Sequence, residues 1–271
     1  MGKNRTVNTF ESVSWKIAHG YGRGLGLEYK PWISGHEFAS RGTYIRLKGN
    51  TVPRLYCFMS RLEADAFILY DCMPEVTDIL EQYYLTLEET LEIADGLRVA
   101  HPRSGQYFNA VTTDLLVQKG GTWIARSVKT SRDLENERTL EKLEIERVYF
   151  SRRGIDWKII TEKELNRTLV QNLNWLWYGE SPDAVFSDHQ LLLDAEAAFV
   201  ELYENEDISF PHLVDEIEAR FSLAPGSAVC VFKSLIRQGI IQIDLTKPLN
   251  MLNPRSSHER SSPDGRYRSY C

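Results

Sequence analysis

The sequence has few cysteines and no long apolar run, and both absences exclude classes of protein. Its 271 residues include four cysteines, and no two of them form a C-x-x-C pair. This spacing supports neither a zinc site nor a disulfide framework, so we expect free thiols. No stretch approaches the roughly 20 apolar residues of a membrane-spanning helix, and the first residues lack the apolar core of a signal peptide. We therefore expect a cytoplasmic protein with no membrane partner.

Low-complexity composition is also missing. Apolar residues make up 42% of the chain and charged residues 26%, which predicts a globular protein, and the length favours two domains. The formal net charge of −6 argues against a simple nucleic-acid coat. Basic residues predominate in residues 1–60 and acidic residues in 169–271. This distribution suggests polyanion contact at the front and protein contact at the rear, although chance variation on solvated faces is an equal alternative.

Residues 20–32, GYGRGLGLEYKPW, alternate glycine with larger side chains and are called the arm below. The G-x-G-x-x-G spacing fails at every start, so the arm is no dinucleotide-binding fingerprint. Its glycines and Pro31 predict an extended basic segment. Arg23, Tyr29, Lys30 and Trp32 could track a phosphate backbone, and a flexible leader of this composition is nearly as good an interpretation.

Strands and helices alternate over the following residues, which predicts an α/β domain with a mixed sheet. A strand pair is expected around GTYIRLK and RLYCFM, a helix over RLEADAFILYD, and a strand at 76–80. A second helix should close at Gly96, and a charged helix should cover NERTLEKLEIERVYFSRR. A strand at DWKIIT and a helix near EKELNRTLVQNLNWLWY complete the expected domain, residues 1–179.

TTDLLVQ and TWIARSVKT, joined by KGG, predict a β-hairpin. A two-residue Gly120-Gly121 loop would place Asp114 opposite Ser127 and diagonal to Lys129 on the same face. A carboxylate, a hydroxyl and an ammonium at one sheet edge suit a metal-dependent phosphodiesterase, with oxygen ligands for Mg²⁺ and a lysine that positions the attacking water. A solvated ion pair is the alternative, and a three-residue loop would place Asp114 on the other face.

Glu63 is the candidate second carboxylate for such a cation. Ser60-x-x-Glu63 also matches a capping box, which would explain this acid without any metal. Asp65 is the local alternative as a ligand. Glu144 and Glu146 could face the site from the charged helix, where most acids are expected to face solvent.

ESPD at 180–183 is the expected domain boundary. Beyond it, three helical periods at 189–203, 210–221 and 226–238 precede the β-prone run IIQIDLT, which together predict a winged-helix domain over 180–252. The polar, proline- and serine-containing segment 253–271 is expected to be disordered.

With these residues assembled, the chain resembles the TnsA endonuclease family of Tn-seven-like bacterial transposons. The resemblance rests on YGRGLGLEYKPW, SRLEADAF, ILEQYYL, HPRSGQYFNAVTTDLLV, IARSVKTSRDL and ERTLEKLEIERVYF, which follow the family's order. It implies a restriction-endonuclease-like (PD-(D/E)XK) domain that nicks the 5′ strand ends of the transposon. It also implies a DDE-type transposase as partner and an AAA+ ATPase regulator that contacts the C-terminal domain.

Residue by residue, the resemblance implies that Glu63, Asp114 and the Val128 carbonyl hold one or two Mg²⁺ ions, with Mn²⁺ as a substitute. Lys129 would be the active-site lysine. Ser127 departs from the glutamine or glutamate found two residues before the lysine in related nucleases, which weakens the second cation position. Glu146 could give supporting contacts.

Two functions remain open from the sequence. The first is a Mg²⁺-dependent endonuclease that acts on double-stranded DNA at transposon ends within a transposase. The alternative is a catalytically inactive winged-helix regulatory subunit that binds DNA or protein. Only the first predicts metal binding that disappears when Glu63 and Asp114 are replaced.

Overall fold

The computed structural model describes residues 10–33, 44–178, 185–186, 188–204 and 207–254. The chain divides into two compact units, Met1–Asn166 and Arg167–Cys271. Among the described residues, no helix combines the length and the apolar character needed to cross a bilayer.

The first unit is a mixed α/β structure. Its helices are α1 (Phe10–Ala18), α2 (Arg61–Asp71), α3 (Leu87–Leu97) and α4 (Glu137–Ser151). Its strands are β1 (Ile45–Lys48), β2 (Leu55–Phe58), β3 (Val76–Leu85), β4 (Arg103–Ser104), β5 (Tyr107–Phe108), β6 (Val111–Lys119), β7 (Thr122–Val128) and β8 (Asp156–Ile160). β1 and β2 form the predicted pair, which is antiparallel.

A four-stranded sheet in the order β3-β6-β7-β8 forms the centre of this unit. β6 pairs antiparallel with β3 and β7, whereas β8 runs parallel to β7, so the predicted mixed sheet is confirmed. Arg126 and Ser127 are neighbours on β7, yet Arg126 bonds to Tyr70 of α2 and Ser127 to Glu146 of α4. Because successive side chains of a strand point to opposite faces, α2 and α4 cover opposite faces of the sheet.

The β6–β7 hairpin has the predicted register. Its pairs run from Lys119 with Thr122 to Leu115 with Arg126, across a two-residue loop. Gly120 and Gly121 have φ values of 57° and 79°, as a type I′ turn requires. The three-residue loop is therefore excluded.

The arm packs against β3, which is an edge strand of the large sheet. The Trp32 amide donates to the carbonyl of Gln82 (3.3 Å), and the Tyr29 hydroxyl donates to the carbonyl of Glu81 (3.0 Å). Trp32 is 2% exposed and stacks on Tyr84, with 4.0 Å between ring centroids. The expectation of an extended, phosphate-tracking arm is therefore wrong for Tyr29 and Trp32, because both are buried in covering a strand edge.

Three local predictions for the first unit need correction. α3 does not end at Gly96, since it continues to Leu97 and Arg98 takes the left-handed conformation (φ 56°). β3 is twice as long as expected because it pairs with β6 along its whole length. Residues 162–166 lie outside the helix that was expected to include them, and the Glu164 carboxylate instead accepts bonds from Thr161.

The second unit is helical, with α5 (Arg167–Trp177), α6 (His189–Glu204), α7 (Phe210–Phe221) and α8 (Ser227–Arg237). The three predicted helices after residue 188 are confirmed. Phe199, Phe210 and Phe232 pack together in its core. The predicted strand IIQIDLT is wrong, because residues 240–246 contain no strand, and the winged-helix prediction therefore lacks its wing.

The structural division falls earlier than the boundary expected at 180–183, which itself lies outside the described residues. α5 belongs to the second unit. Its Asn172 donates to the carbonyls of Leu245 and Lys247, both at 2.7 Å, and Arg237 donates to the carbonyl of Leu176. Of the tail predicted to be disordered, residues 255–271 also lie outside the described part of the chain.

Candidate active site

Glu63 is held at the first turn of α2 by the predicted capping arrangement. Ser60 is the N-cap residue, and its hydroxyl accepts a bond from the Glu63 amide (3.1 Å) and donates to Glu63 Oε1 (2.9 Å). Glu63 Oε2 accepts from the amide of Met59 (3.1 Å) rather than from that of the N-cap residue. Asp65, the alternative ligand, instead pairs with Arg61 at 2.7 Å.

Asp114 and Lys129 meet at the open end of the β6–β7 hairpin, as the register predicted. Lys129 Nζ donates to Asp114 Oδ2 (2.8 Å) and to the carbonyl oxygen of Val128 (2.7 Å). The Val128 amide also donates to Asp114 Oδ2, at 2.6 Å. Glu63 and Asp114 are both buried, with 8% and 7% of their surfaces exposed. The alternative of a solvated ion pair is therefore wrong.

The prediction that the Ser127 hydroxyl converges with Asp114 and Lys129 is wrong. The hairpin ladder ends at the pair Leu115 and Arg126, and the Ser127 hydroxyl lies 3.3 Å from that of Thr113, the neighbour of Asp114 on β6. The Ser127 hydroxyl donates to the carboxylate of Glu146 and accepts from Trp157 Nε1 at 3.0 Å.

Glu146 is 1% exposed, and Lys142 Nζ lies 3.8 Å from its Oε1. Glu144 pairs with Arg147 near the surface. The structure thus places Glu146, and not Glu144, behind the hairpin.

These charges shift one another's pKa values. Burial and the negative charge of Asp114 raise the pKa of Glu63 to about 7, although hydrogen bonds from Met59 and Ser60 act to lower it. Burial also raises the pKa of Glu146, and the charge of Lys142 opposes this. Burial would lower the pKa of Lys129, but the charges of Asp114 and Glu146 outweigh it and the net shift is upward. The site therefore concentrates negative charge around the ammonium group of Lys129, whose side chain is 20% exposed.

The donor set fits a hard divalent cation. Two of the three predicted ligand oxygens, Asp114 Oδ2 and the Val128 carbonyl, already converge on the Lys129 ammonium group. Glu63 is close enough to Asp114 for their charges to interact. Oxygen ligands of this kind are those that Mg²⁺ prefers. Within the described part of the chain, no three side chains of the His, Cys, Asp and Glu types form a metal-binding group, so a third protein ligand here would have to be the backbone carbonyl.

Gln82 is the site residue that the sequence analysis missed. It is 1% exposed and has a left-handed backbone, with φ 50°. Its Nε2 lies 3.4 Å from Glu63 Oε2, and the Thr112 hydroxyl lies 3.3 Å from its Oε1. The segment ILEQYYL contains it, but no local signal predicts a left-handed glutamine inside a β-strand.

Comparison with known proteins identifies the class of this chain. Residues 73–162 match the family model "TnsA-like endonuclease N terminal", and residues 164–245 match "TnsA endonuclease C terminal". The chain is also similar to "Transposon Tn7 transposition protein TnsA" of Escherichia coli. The identity is 29% over 250 residues, covering 91% of this chain and 90% of the relative.

Fold and family matches together define a two-unit endonuclease with a mixed-sheet first unit. The chain belongs to the TnsA endonuclease family. It is an endonuclease subunit of a Tn7-like transposase, and the alternative of an inactive regulatory subunit is not favoured.

Proposed function

We propose that this endonuclease is metal-dependent and cuts the 5′ strand at each end of a transposon during cut-and-paste transposition. The observation that carries the proposal is the convergence of Asp114, the Val128 carbonyl and Lys129, with Glu63 close to Asp114. Two buried acids with one half-buried ammonium group form an anionic site that a divalent cation would neutralise.

Glu63, Asp114 and the Val128 carbonyl would hold Mg²⁺, or Mn²⁺ in its place. When bound, such a cation polarises the phosphodiester and makes water a better nucleophile at neutral pH. Lys129 Nζ then orients the attacking water and offsets the charge that develops on the phosphate. Ser127 and Glu146 support this arrangement through the bond that ties β7 to α4.

We further propose that the first unit has the restriction-endonuclease-like (PD-(D/E)XK) fold. The support is a mixed sheet with helices on both faces, and a hairpin end that carries an acid and, one residue after β7, a lysine. The second unit is proposed as a helical partner-binding domain.

The proposed partners are double-stranded DNA at the transposon ends, a DDE-type transposase and an AAA+ ATPase regulator bound through the second unit. The relative from Escherichia coli is by its name a transposition protein, and the second unit matches its own family model. The acidic charge of residues 169–271 favours contact with protein rather than with DNA.

Replacement of the two acids tests the nuclease site. Asp114→Ala and Glu63→Gln should each reduce 5′ strand nicking at least about 100-fold, because each removes a charge that holds the cation. Asp65→Asn is the matched control, since Asp65 lies two residues from Glu63 on α2 but pairs with Arg61. The assay uses end-labelled transposon DNA, Mg²⁺ and the transposase partner, and circular dichroism checks folding. Full nicking by folded Asp114→Ala would refute the proposal.

A further inference from the structure

Gln82 and Asp114 are the two residues that the β3–β6 ladder leaves unpaired between two paired rows. Glu81 pairs with Leu115 and Tyr83 pairs with Thr113 on either side of them. At this row the backbone leaves the strand conformation, with φ 50° at Gln82. A left-handed glutamine is sterically unfavourable, and backbone strain of this kind is concentrated at functional sites.

The unusual backbone is fixed from outside the sheet. The Trp32 amide donates to the Gln82 carbonyl at 3.3 Å, and Trp32 itself is anchored by stacking on Tyr84. The arm approaches β3 so closely that a Cβ at Gly22 would lie 2.5 Å from Tyr84 Cβ. The arm therefore holds the peptide whose side chain enters the site.

The Gln82 side chain is oriented toward Glu63. The Thr112 hydroxyl donates to Gln82 Oε1, which turns Nε2 toward Glu63 Oε2 at 3.4 Å. The reversed amide would place Oε1 against a carboxylate oxygen, so hydrogen bonding determines this assignment. Because Glu63 Oε2 also accepts from Met59, two donors hold this oxygen, and Oε1 accepts only from Ser60 among the described residues.

We propose that Gln82 is a positioning residue for Glu63. Gln82 would hold the Glu63 carboxylate in the orientation in which it can serve as a ligand. This inference rests on the proposed metal-dependent nuclease. A glutamine that only filled the core would satisfy Thr112 and leave metal affinity unchanged when replaced. A positioning glutamine affects metal affinity even where the fold is intact.

A metal titration with matched variants separates these roles. Gln82→Met keeps the length of the side chain and removes the amide. Gln118→Met makes the same replacement elsewhere in the β3–β6 pair, where Gln118 bonds only to Thr77 among the described residues. Mn²⁺ binding to the full chain without DNA is measured by electron paramagnetic resonance, after near-ultraviolet circular dichroism has checked folding.

We expect Gln82→Met to weaken Mn²⁺ binding about tenfold and Gln118→Met to leave it unchanged. The Mg²⁺ concentration for half-maximal nicking should rise by the same factor. Thr112→Val removes the hydroxyl that holds the Gln82 amide and leaves Glu63 unchanged, so it should weaken Mn²⁺ binding by a smaller factor. If Gln82→Met does not fold, the Mn²⁺ affinity of Thr112→Val tests the role of Gln82 in its place.

Two negative results are distinguishable. Wild-type Mn²⁺ affinity in folded Gln82→Met, or in Thr112→Val where Gln82→Met does not fold, would overturn the role of Gln82. The proposed function would stand in that case if the wild-type chain binds Mn²⁺ and nicks DNA together with the transposase partner. The proposed function, and this inference with it, would be overturned by two results together. These are the absence of Mn²⁺ binding by the wild-type chain and full nicking by the Asp114→Ala variant.

Discussion

At the scale of single residues, the Glu63 carboxylate has two roles: it accepts hydrogen bonds at the N-terminus of α2, and it belongs to the candidate active site. Its two oxygens accept bonds from Met59, Ser60 and Gln82, yet a carboxylate has about four lone-pair positions. The bonds fix the direction of the group, while burial raises its pKa to about 7. A capping acid and a ligand are therefore compatible descriptions of Glu63, because the bonds that cap α2 also orient the acid.

His101 should make stability depend on pH. It is 5% exposed, with Nδ1 3.1 Å from the Pro102 carbonyl and Nε2 3.0 Å from the Thr90 hydroxyl, and burial lowers its pKa. The unfolded chain then binds the proton more readily, so the stabilisation is present above pH 6.5 and is lost as the pH falls below that value. In urea unfolding, the free energy of unfolding at pH 7.5 minus that at pH 5 should be less positive for His101→Gln than for wild type. The comparison with wild type removes the opposite contribution of Glu63, whose pKa is raised.

The exposed His212 gives the control, because His212→Gln should retain the wild-type profile. Equal slopes in wild type and His101→Gln would show that His101 takes up its proton as readily in the folded protein as in the unfolded one.

Individual site residues were predictable where the geometry is local. Asp114 and Lys129 follow from a two-glycine turn and the two-residue period of a strand. Gln82 was not predictable, because its conformation depends on Trp32, which is distant in sequence. The same reason explains why the sequence left open whether Glu144 or Glu146 of α4 faces the site, and did not predict the contact of Glu146 with Ser127.

At the scale of elements, the arm behaves as a cover for the edge of β3. Trp32→Ala should destabilise the protein by about 3 kcal/mol, because it removes a buried ring that stacks on Tyr84. Trp15→Ala is the control, since Trp15 is 53% exposed and its loss should cost within about 0.5 kcal/mol. Urea denaturation of both variants measures the difference, and equal losses would show that the arm does not contribute to the folded core.

The elements also show why some boundaries were predictable. α2 begins after Ser60 and covers the predicted RLEADAFILYD, because capping is encoded within four residues. IIQIDLT is equally β-prone, but strand formation requires a partner strand, and residues 240–246 pair with none in the described part of the chain. The prediction of an extended arm was wrong for a similar reason, because glycine-rich composition does not reveal the surface on which a segment packs.

At the scale of the whole molecule, charge limits what the chain can do alone. The net charge is −6, and Arg126, one of the basic groups on the central sheet, is paired with Asp156. Most DNA affinity comes from contacts between cationic side chains and phosphates, so we expect weak binding to DNA that falls further with added salt. We therefore expect this subunit to need another protein to hold its substrate.

The isolated chain should therefore leave transposon-end DNA uncut in Mg²⁺, whereas addition of the transposase partner should produce nicks at the 5′ strand ends. The partner would supply the phosphate contacts that an acidic chain lacks and so raise the local concentration of the cleavage site. End-labelled duplexes resolved on denaturing gels measure both cases, and Asp114→Ala with the partner shows which nicks belong to this chain. Efficient cutting by the purified chain alone at physiological salt would mean that its local basic residues suffice for DNA binding despite the acidic total.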